Sequence, residues 1–507
     1  MVQAHGKVWL VGAGAGEPGL ITVRGLSVLS RADVVLYDAL AHPALLENCP
    51  QAEQLHVGKR YGEESAEQAA IIGKMIELAR QGKRVVRLKG GDPLMFARGA
   101  EEALALVEAG IRFEIVPGVS SPIATSAYAG ISLTHRELSS SVTFITGSDR
   151  AGKEWSPESW KKLATATDTI CVLMGMRRIA EITQAIIDGG RSPSTPAAVI
   201  HWGARPEQRV VTAPLEKIAD AAKQAGLKNP AIILVGEVVT LREKLAWYDS
   251  RPLSGKRIVI PRAAEQGRDT AAAVRERGAA PVSLPMIEIV DPPDAPRFGR
   301  AVKELGGYDW VLFTSTNGVE RVRAELERTG RDARAFGSAR VGVVGSKTAE
   351  ALQRLGIRAD VVAQEFVGEG LATAVLGQGA PRRVLLLRAL VARDALPDAL
   401  RAQGCEVDVV AAYRTQALLD SGRELGAGIE NGTIDAILFT SSSTVSSTLD
   451  ALGERGKELL GRVVLASIGP ITTSALESHG LTANVAAGVY TVEGLLDALE
   501  THFAASV

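Results

Sequence analysis

The stretch Arg84–Gly99 reads RVVRLKGGDPLMFARG. Val85, Val86 and Leu88 make an apolar run of the length of a short buried strand. Gly90 and Gly91 follow. Neither has a Cβ, so the backbone can turn sharply there and come close to a ligand. Asp92 then stands at a helix N-cap position with Pro93 as the first helical residue, so a helix is expected directly after the glycines. A strand that ends in a glycine turn and opens onto a helix is where open α/β sheets take ligands. Alone, the motif fits a plain strand–turn–helix connection better than a site. The flanking sequence changes that balance.

Strands alternate with helices on both sides of this stretch. Lys7–Val11 and Asp33–Tyr37 read as strands. Between them lie Gly12-Ala13-Gly14-Ala15-Gly16 and a helix ending near Leu29. The glycine loop followed by Asp38 imitates a dinucleotide fingerprint, but Glu17 stands where its third glycine belongs. A nicotinamide site is therefore the weaker reading. Gln68–Gln81 has the apolar spacing of an amphipathic helix. Further strands are expected at Phe113–Val116, Val142–Thr146, Thr169–Leu173, Ala197–Ile200 and Ala231–Val235. Residues 148–160 read as a surface loop. This half divides into two α/β units near residue 117.

The 507 residues exceed one ordinary domain; about three or four are expected. A hydrophobic share of 46% supports real cores, and 52 glycines suit an α/β architecture with many tight turns. The net charge of −1 gives no global attraction to nucleic acid or anionic membranes, so an anionic ligand must be held by local basic clusters. Cys49, Cys171 and Cys405 lie far apart, with no metal-ligand spacing. That argues against a disulfide framework or a zinc site and suits a reducing cytoplasm. No apolar run is long enough for a membrane span, and the N-terminus does not read as a signal peptide.

In order along residues 5–248 stand VGAGAGEPGLITVRG, Asp38 at a strand end, VGKR (57–60), VVRLKGGDPLMFARGAEE, VPGVSS (116–121), GISLTHR (130–136), VLMG (172–175) and NPAIILVGEVVTLREKLAW. Together they resemble uroporphyrinogen III C-methyltransferase, of the tetrapyrrole methylase family. Ala15 and Glu17 depart from the family's GAGPGD loop, and Ser148 stands where its TGH motif has histidine. The resemblance implies a methylase fold of two α/β subdomains (about 1–117 and 118–248) and S-adenosylmethionine as methyl-donating co-substrate. It places Ala15, Gly90, Gly91, Asp92, Met95, Ser120, Ser121, Met174 and Gly203 at the cofactor. A porphyrinogen carries eight carboxylates, for which Arg60, Arg98 and Arg136 are the expected partners. Asp38 would assist proton loss after methylation, beside Lys59. From the residues alone, Asp38 serves equally well as a helix N-cap. The family is dimeric, so a homodimer through this half is expected.

Residues 249–255 read as a linker. Beyond them the chain repeats itself. Asp309–Ser315 (DWVLFTS) returns as Asp435–Ser441 (DAILFTS), and Val344-Gly345 with Thr348 as Ile468-Gly469 with Thr472. Two copies of an α/β unit imply two similar parallel-sheet domains with a cleft between them. Ser and Thr at helix starts suit carboxylate binding and also plain capping. Tyr413 stands in AAYRT where the first copy has Ile287, an asymmetric hydroxyl in a symmetric scaffold. Residues 255–507 resemble uroporphyrinogen III synthase, through FTSxxxV, VGxxTA, AYRT, FTSSS and IGPxTT in family order. That resemblance implies interleaved domains, about 256–288 plus 415–507, and 289–414. It implies cyclisation of hydroxymethylbilane with inversion of ring D. Tyr413 would help the terminal hydroxyl leave, while Ser315, Thr348, Ser441, Ser443 and Thr472 would bind carboxylates.

The two resemblances imply a bifunctional cytoplasmic enzyme of tetrapyrrole biosynthesis, ending at precorrin-2 on the way to sirohaem or cobalamin. The expected partners are small tetrapyrroles, without metal, nucleic acid or membrane. Two alternatives stand beside it. One is an NAD-dependent oxidoreductase fused to a ligand sensor. The other is an active methyltransferase with a non-catalytic, tetrapyrrole-binding C-terminal half.

Overall fold

The structure, a computed structural model, describes residues 6–58, 68–147, 156–262, 264–363 and 368–505. Its first sheet contains β1 (Lys7–Gly12), β2 (Val34–Tyr37), β3 (Glu53–His56), β4 (Arg84–Lys89) and β5 (Arg112–Val116). All pair in parallel, in the order β3-β2-β4-β1-β5. A parallel sheet is covered on both faces, so its central strands are apolar on both sides. Val8, Leu10 and Val85 pack toward helices Gln68–Arg80 and Gly99–Glu108. Val11, Val35 and Val86 pack on the opposite face, with Val28 and Leu29 of helix Val23–Leu29. The stretch Arg84–Lys89 is thus the middle strand of the sheet.

The second sheet contains β6 (Val142–Thr146), β7 (Thr169–Leu173), β8 (Pro196–His201), β9 (Arg209–Pro214) and β10 (Ala231–Val235), in the order β6-β7-β10-β8-β9. β10 runs antiparallel to both its neighbours. The edge strand β9 was not expected; its RVVTAP is half-buried and lacks a clean alternation. The surface loop expected to reach residue 160 ends earlier. Ser156 caps a helix, Pro157–Ala166, by accepting a hydrogen bond from the Ser159 N–H (3.1 Å).

The remaining strands are β11 (Arg257–Ile260), β12 (Ala280–Ser283), β13 (Ile287–Val290), β14 (Trp310–Phe313), β15 (Arg340–Val344), β16 (Val361–Ala363), β17 (Arg383–Ala389), β18 (Glu406–Ala417), β19 (Ala436–Phe439), β20 (Val464–Ser467) and β21 (Val485–Ala486). They form two sheets, ordered β12-β11-β19-β20-β21 and β13-β18-β17-β14-β15-β16. The first joins strands from both ends of this half; the second uses the sequence between them. Each repeat therefore starts in one sheet and crosses to the other. The crossing is the antiparallel ribbon of β13 on the end of β18, with Ile287 opposite Ala417 and Val290 opposite Arg414.

The segment read as a linker is packed. Tyr248 and Leu253 are buried, and the Arg251 guanidinium lies 3.6 Å over the Tyr248 ring while donating to the Arg275 carbonyl (2.9 Å). Among the described residues, no helix is long and apolar enough to cross a membrane.

Candidate functional site

The backbone after β4 does not enter a helix at Pro93, as the Asp92-Pro93 pair suggested. Residues 93–97 form bends, and the helix begins at Gly99 with Arg98 at its N-cap, φ +59°. Asp92 ties loops together instead. Its Oδ1 accepts from Leu94 N (2.8 Å) and its Oδ2 from Gly118 N (3.1 Å), joining the loop after β4 to the loop after β5. With both oxygens engaged, the carboxylate holds the pocket floor.

These loops and those of the second sheet enclose a cavity of about 720 Å³. Ala15, Gly90, Gly91, Met95, Ser121, Met174 and Gly203 all line it. Asp92 and Ser120 do not. Ser120 is buried at the N-cap of helix Ser121–Tyr128, and its side chain makes no capping hydrogen bond. Thr125 also lines the cavity, as do Trp202, Arg205 and Arg177, which were not foreseen.

The close approaches explain the glycines. Gly91 has φ +72°, a left-handed conformation that disfavours a side chain. A Cβ on Gly203 would lie 2.2 Å from the Thr125 methyl, and one on Gly16 2.5 Å from the Gly203 carbonyl. The described non-glycine residues with positive φ are Phe96, Arg98, Met174, Trp202 and Ala204. Three line the cavity, and Arg98 and Ala204 adjoin residues that do. Such strain persists where surrounding structure over-determines it, commonly at binding sites. Arg205 closes one side, stacked 4.6 Å over the Trp202 ring and donating to the Leu40 carbonyl (3.1 Å).

Asp38 lies at the end of β2, two residues before Leu40 of the cavity wall. It does not cap a helix. Its Oδ1 accepts from Arg87 Nη2 at 2.5 Å. Arg87 and Lys89, both 2% exposed, share Oε1 of the fully buried Glu102, at 3.2 and 2.9 Å. Burial, with Arg87 alongside, pushes the Lys89 ammonium below its ordinary value. Sequence reading missed these three residues. Arg98 pairs in fork geometry with Glu101 (3.0 and 2.7 Å), and Arg136 is exposed in the turn 135–139. Lys59, Arg60 and Ser148 lie outside the described residues.

In the C-terminal half, Ser315 and Tyr413 come together: their hydroxyls are 3.0 Å apart. Tyr413 is 6% exposed, on β18, and Ser315 caps helix Thr316–Arg328 through Gly318 N (3.3 Å). Ser441 occupies the same place in the other copy, accepting from Thr444 N (3.4 Å), with Ser443 Oγ 3.0 Å away. Thr348 and Thr472 are buried in the first turns of their helices, which leaves the N-terminal backbone amides as the nearer donors there.

Residues 7–219 match the family described as Tetrapyrrole (Corrin/Porphyrin) Methylases, and residues 268–497 that described as Uroporphyrinogen-III synthase HemD. The chain is 36% identical over 497 residues to the Porphyrin biosynthesis protein HemD of Ruminiclostridium josui, covering 98% of each. It is 42% identical over 246 residues to a Uroporphyrinogen-III C-methyltransferase of Bacillus subtilis (strain 168), which is 48% of this chain and 95% of that one. A crystal structure of uroporphyrin-III C-methyl transferase from Thermus thermophilus, complexed with S-adenyl homocysteine, is 36% identical and covers 46% of this chain and 100% of its own, with a TM-score of 0.41. The chain belongs to the family that joins a tetrapyrrole methylase to a uroporphyrinogen-III synthase, and is a bifunctional enzyme of tetrapyrrole biosynthesis.

Proposed function

We propose that the C-terminal half closes hydroxymethylbilane to uroporphyrinogen III, expelling water and inverting ring D. The N-terminal half then methylates that product at C2 and C7 to give precorrin-2. The observation that carries the methylase reading is the cavity of about 720 Å³ over the Gly90-Gly91 turn. Its size suits a cofactor-sized ligand. Glycine backbone and apolar side chains make up much of its wall, which fits an adenosine and a thioether-like chain.

Bound there, S-adenosylmethionine supplies an electrophilic methyl group. The protein's task is then mainly to hold the reacting atoms in line, which supplies several kcal/mol, at most about 7–11. Ala15, Gly91, Met95, Ser121, Met174 and Gly203 shape that seat. Asp38 accepts the proton that the cationic macrocycle loses after methyl transfer, from a position other than the now fully substituted methylated carbon, with Lys59 as electrostatic partner. Arg60, Arg98 and Arg136 take substrate carboxylates. In the other half, Tyr413 passes a proton through Ser315 toward the departing hydroxyl, while Ser441, Ser443 and the helix starts at Thr348 and Thr472 receive carboxylates.

The three cysteines are free and buried, in keeping with a cytoplasmic protein. The exposed Leu104 and Val107 on helix Gly99–Glu108 offer an apolar face for a homodimer. Calorimetry with S-adenosylhomocysteine and with NADH tests the donor directly. Binding of the first alone is expected; binding of NADH instead would restore the oxidoreductase alternative.

A further inference from the structure

Four charged side chains, of Asp38, Arg87, Lys89 and Glu102, are linked by ion pairs next to chain segments that line the cavity. Glu102, on helix Gly99–Glu108, is wholly buried, and its Oε1 accepts from Arg87 Nε (3.2 Å), Lys89 Nζ (2.9 Å) and Gln68 Nε2 (2.9 Å). Arg87 points its other edge outward. Its Nη2 donates to Asp38 Oδ1 at 2.5 Å, and its Nη1 reaches the carbonyls of Leu36 and Leu88, both at 3.4 Å. The guanidinium is held from both edges. Of the four side chains, only that of Asp38 has substantial exposure, at 28%. It stands beside Leu40, which lines the cavity, and Lys89 runs directly into Gly90.

Stability is a weak explanation for this arrangement. A buried ion cluster often gains nothing over well-packed apolar residues of the same volume. What the cluster does provide is orientation: a planar, always-charged group fixed at one end presents a fork of fixed direction at the other.

We propose that Glu102 is a positioning residue for methyl transfer, acting through Arg87 to fix the direction of the Asp38 carboxylate toward the proton that the methylated macrocycle releases. This rests on the reading of Asp38 as the proton acceptor. Glu102 touches neither co-substrate nor macrocycle. Its loss should lower turnover without weakening donor binding.

The test is a double-mutant cycle in the full chain, measuring single-turnover methylation of uroporphyrinogen III and affinity for S-adenosylhomocysteine. Glu102→Gln is expected to slow methylation about 10–100-fold, with donor affinity within about twofold of the parent. In an Asp38→Asn background the same change should cost less than about twofold, because the group it directs is already gone. An equal loss in both backgrounds would overturn the proposal. Undiminished methylation by Asp38→Asn alone would instead refute the base assignment.

Removing one buried charge can unfold the half, so Lys89→Met/Glu102→Gln serves as the charge-balanced variant. It leaves one cation and one anion in the cluster. Slow methylation with intact donor affinity supports positioning. Full recovery of the rate would show that Glu102 only balances charge.

Discussion

His42 is half-buried beside the cavity wall, and its Nδ1 accepts from Ala44 N (3.2 Å). Burial, with Arg205 and Arg275 adding, pushes its imidazole down to about 3 from 6.5. Between those values the unfolded chain binds a proton that the folded protein does not. Folded stability should therefore fall as pH drops from about 6.5 toward 3. His42→Gln should flatten that loss by about 1–2 kcal/mol, read from denaturation midpoints at pH 7 and pH 4.5; an unchanged slope would contradict it. Gly203→Ala places a methyl against Thr125 and should weaken S-adenosylhomocysteine binding at least tenfold while leaving cyclisation unchanged. That Gly90, Gly91, Met95 and Met174 line one cavity follows from local motifs, whereas Gly203 lies in no such motif and came only with the family resemblance. Arg87, Lys89 and Glu102 were not legible in the sequence. Arginine and lysine in a strand read as solvated charges, and only the tertiary fold brings Glu102 beneath them.

Among the elements, Ser315 and Ser441 start equivalent helices in the two repeats, and each caps its helix. The caps were visible as the recurring FTS. They double as candidate carboxylate sites, so stability and binding can be separated by variants. Ser441→Ala should cost about 0.5–2 kcal/mol, seen as a lower denaturation midpoint. Tyr413→Phe keeps the ring packed in the core but removes the hydroxyl that meets Ser315. It should slow cyclisation to uroporphyrinogen III at least tenfold with little change in stability. Unaltered cyclisation would leave the role of Tyr413 unsupported without excluding activity in this half. The helix expected from Asp92-Pro93 does not form: Asp92 keeps a local bond from Leu94 N, but its second oxygen is tied to Gly118 and the chain bends instead of entering a helix. A cap is a local signal, and the tie to the loop after β5, two strands away in the sheet, lies outside it. β9 was missed because an edge strand half exposed to solvent carries little periodicity.

At the scale of the whole molecule, the internal repeat made the paired sheets legible, and the family motifs made the methylase legible. The packing of the connector was not, because YDSRPLSG has the composition of a loose tether yet buries Tyr248 and Leu253. The halves also touch elsewhere: Arg268 Nη2 donates to the Glu47 carbonyl at 3.3 Å. Joining two active sites raises the effective concentration of the first product at the second. The intact chain should show a shorter lag to precorrin-2 than an equimolar mixture of residues 1–248 and 249–507, and equal lags would exclude that advantage. The most direct measurement supplies the intact chain with hydroxymethylbilane, with and without S-adenosylmethionine, and identifies the products by absorbance and mass. Uroporphyrinogen III alone without the donor, and its doubly methylated product with it, is the expected result. Uroporphyrinogen I from uncatalysed closure, or a macrocycle that gains no methyl group, would contradict it.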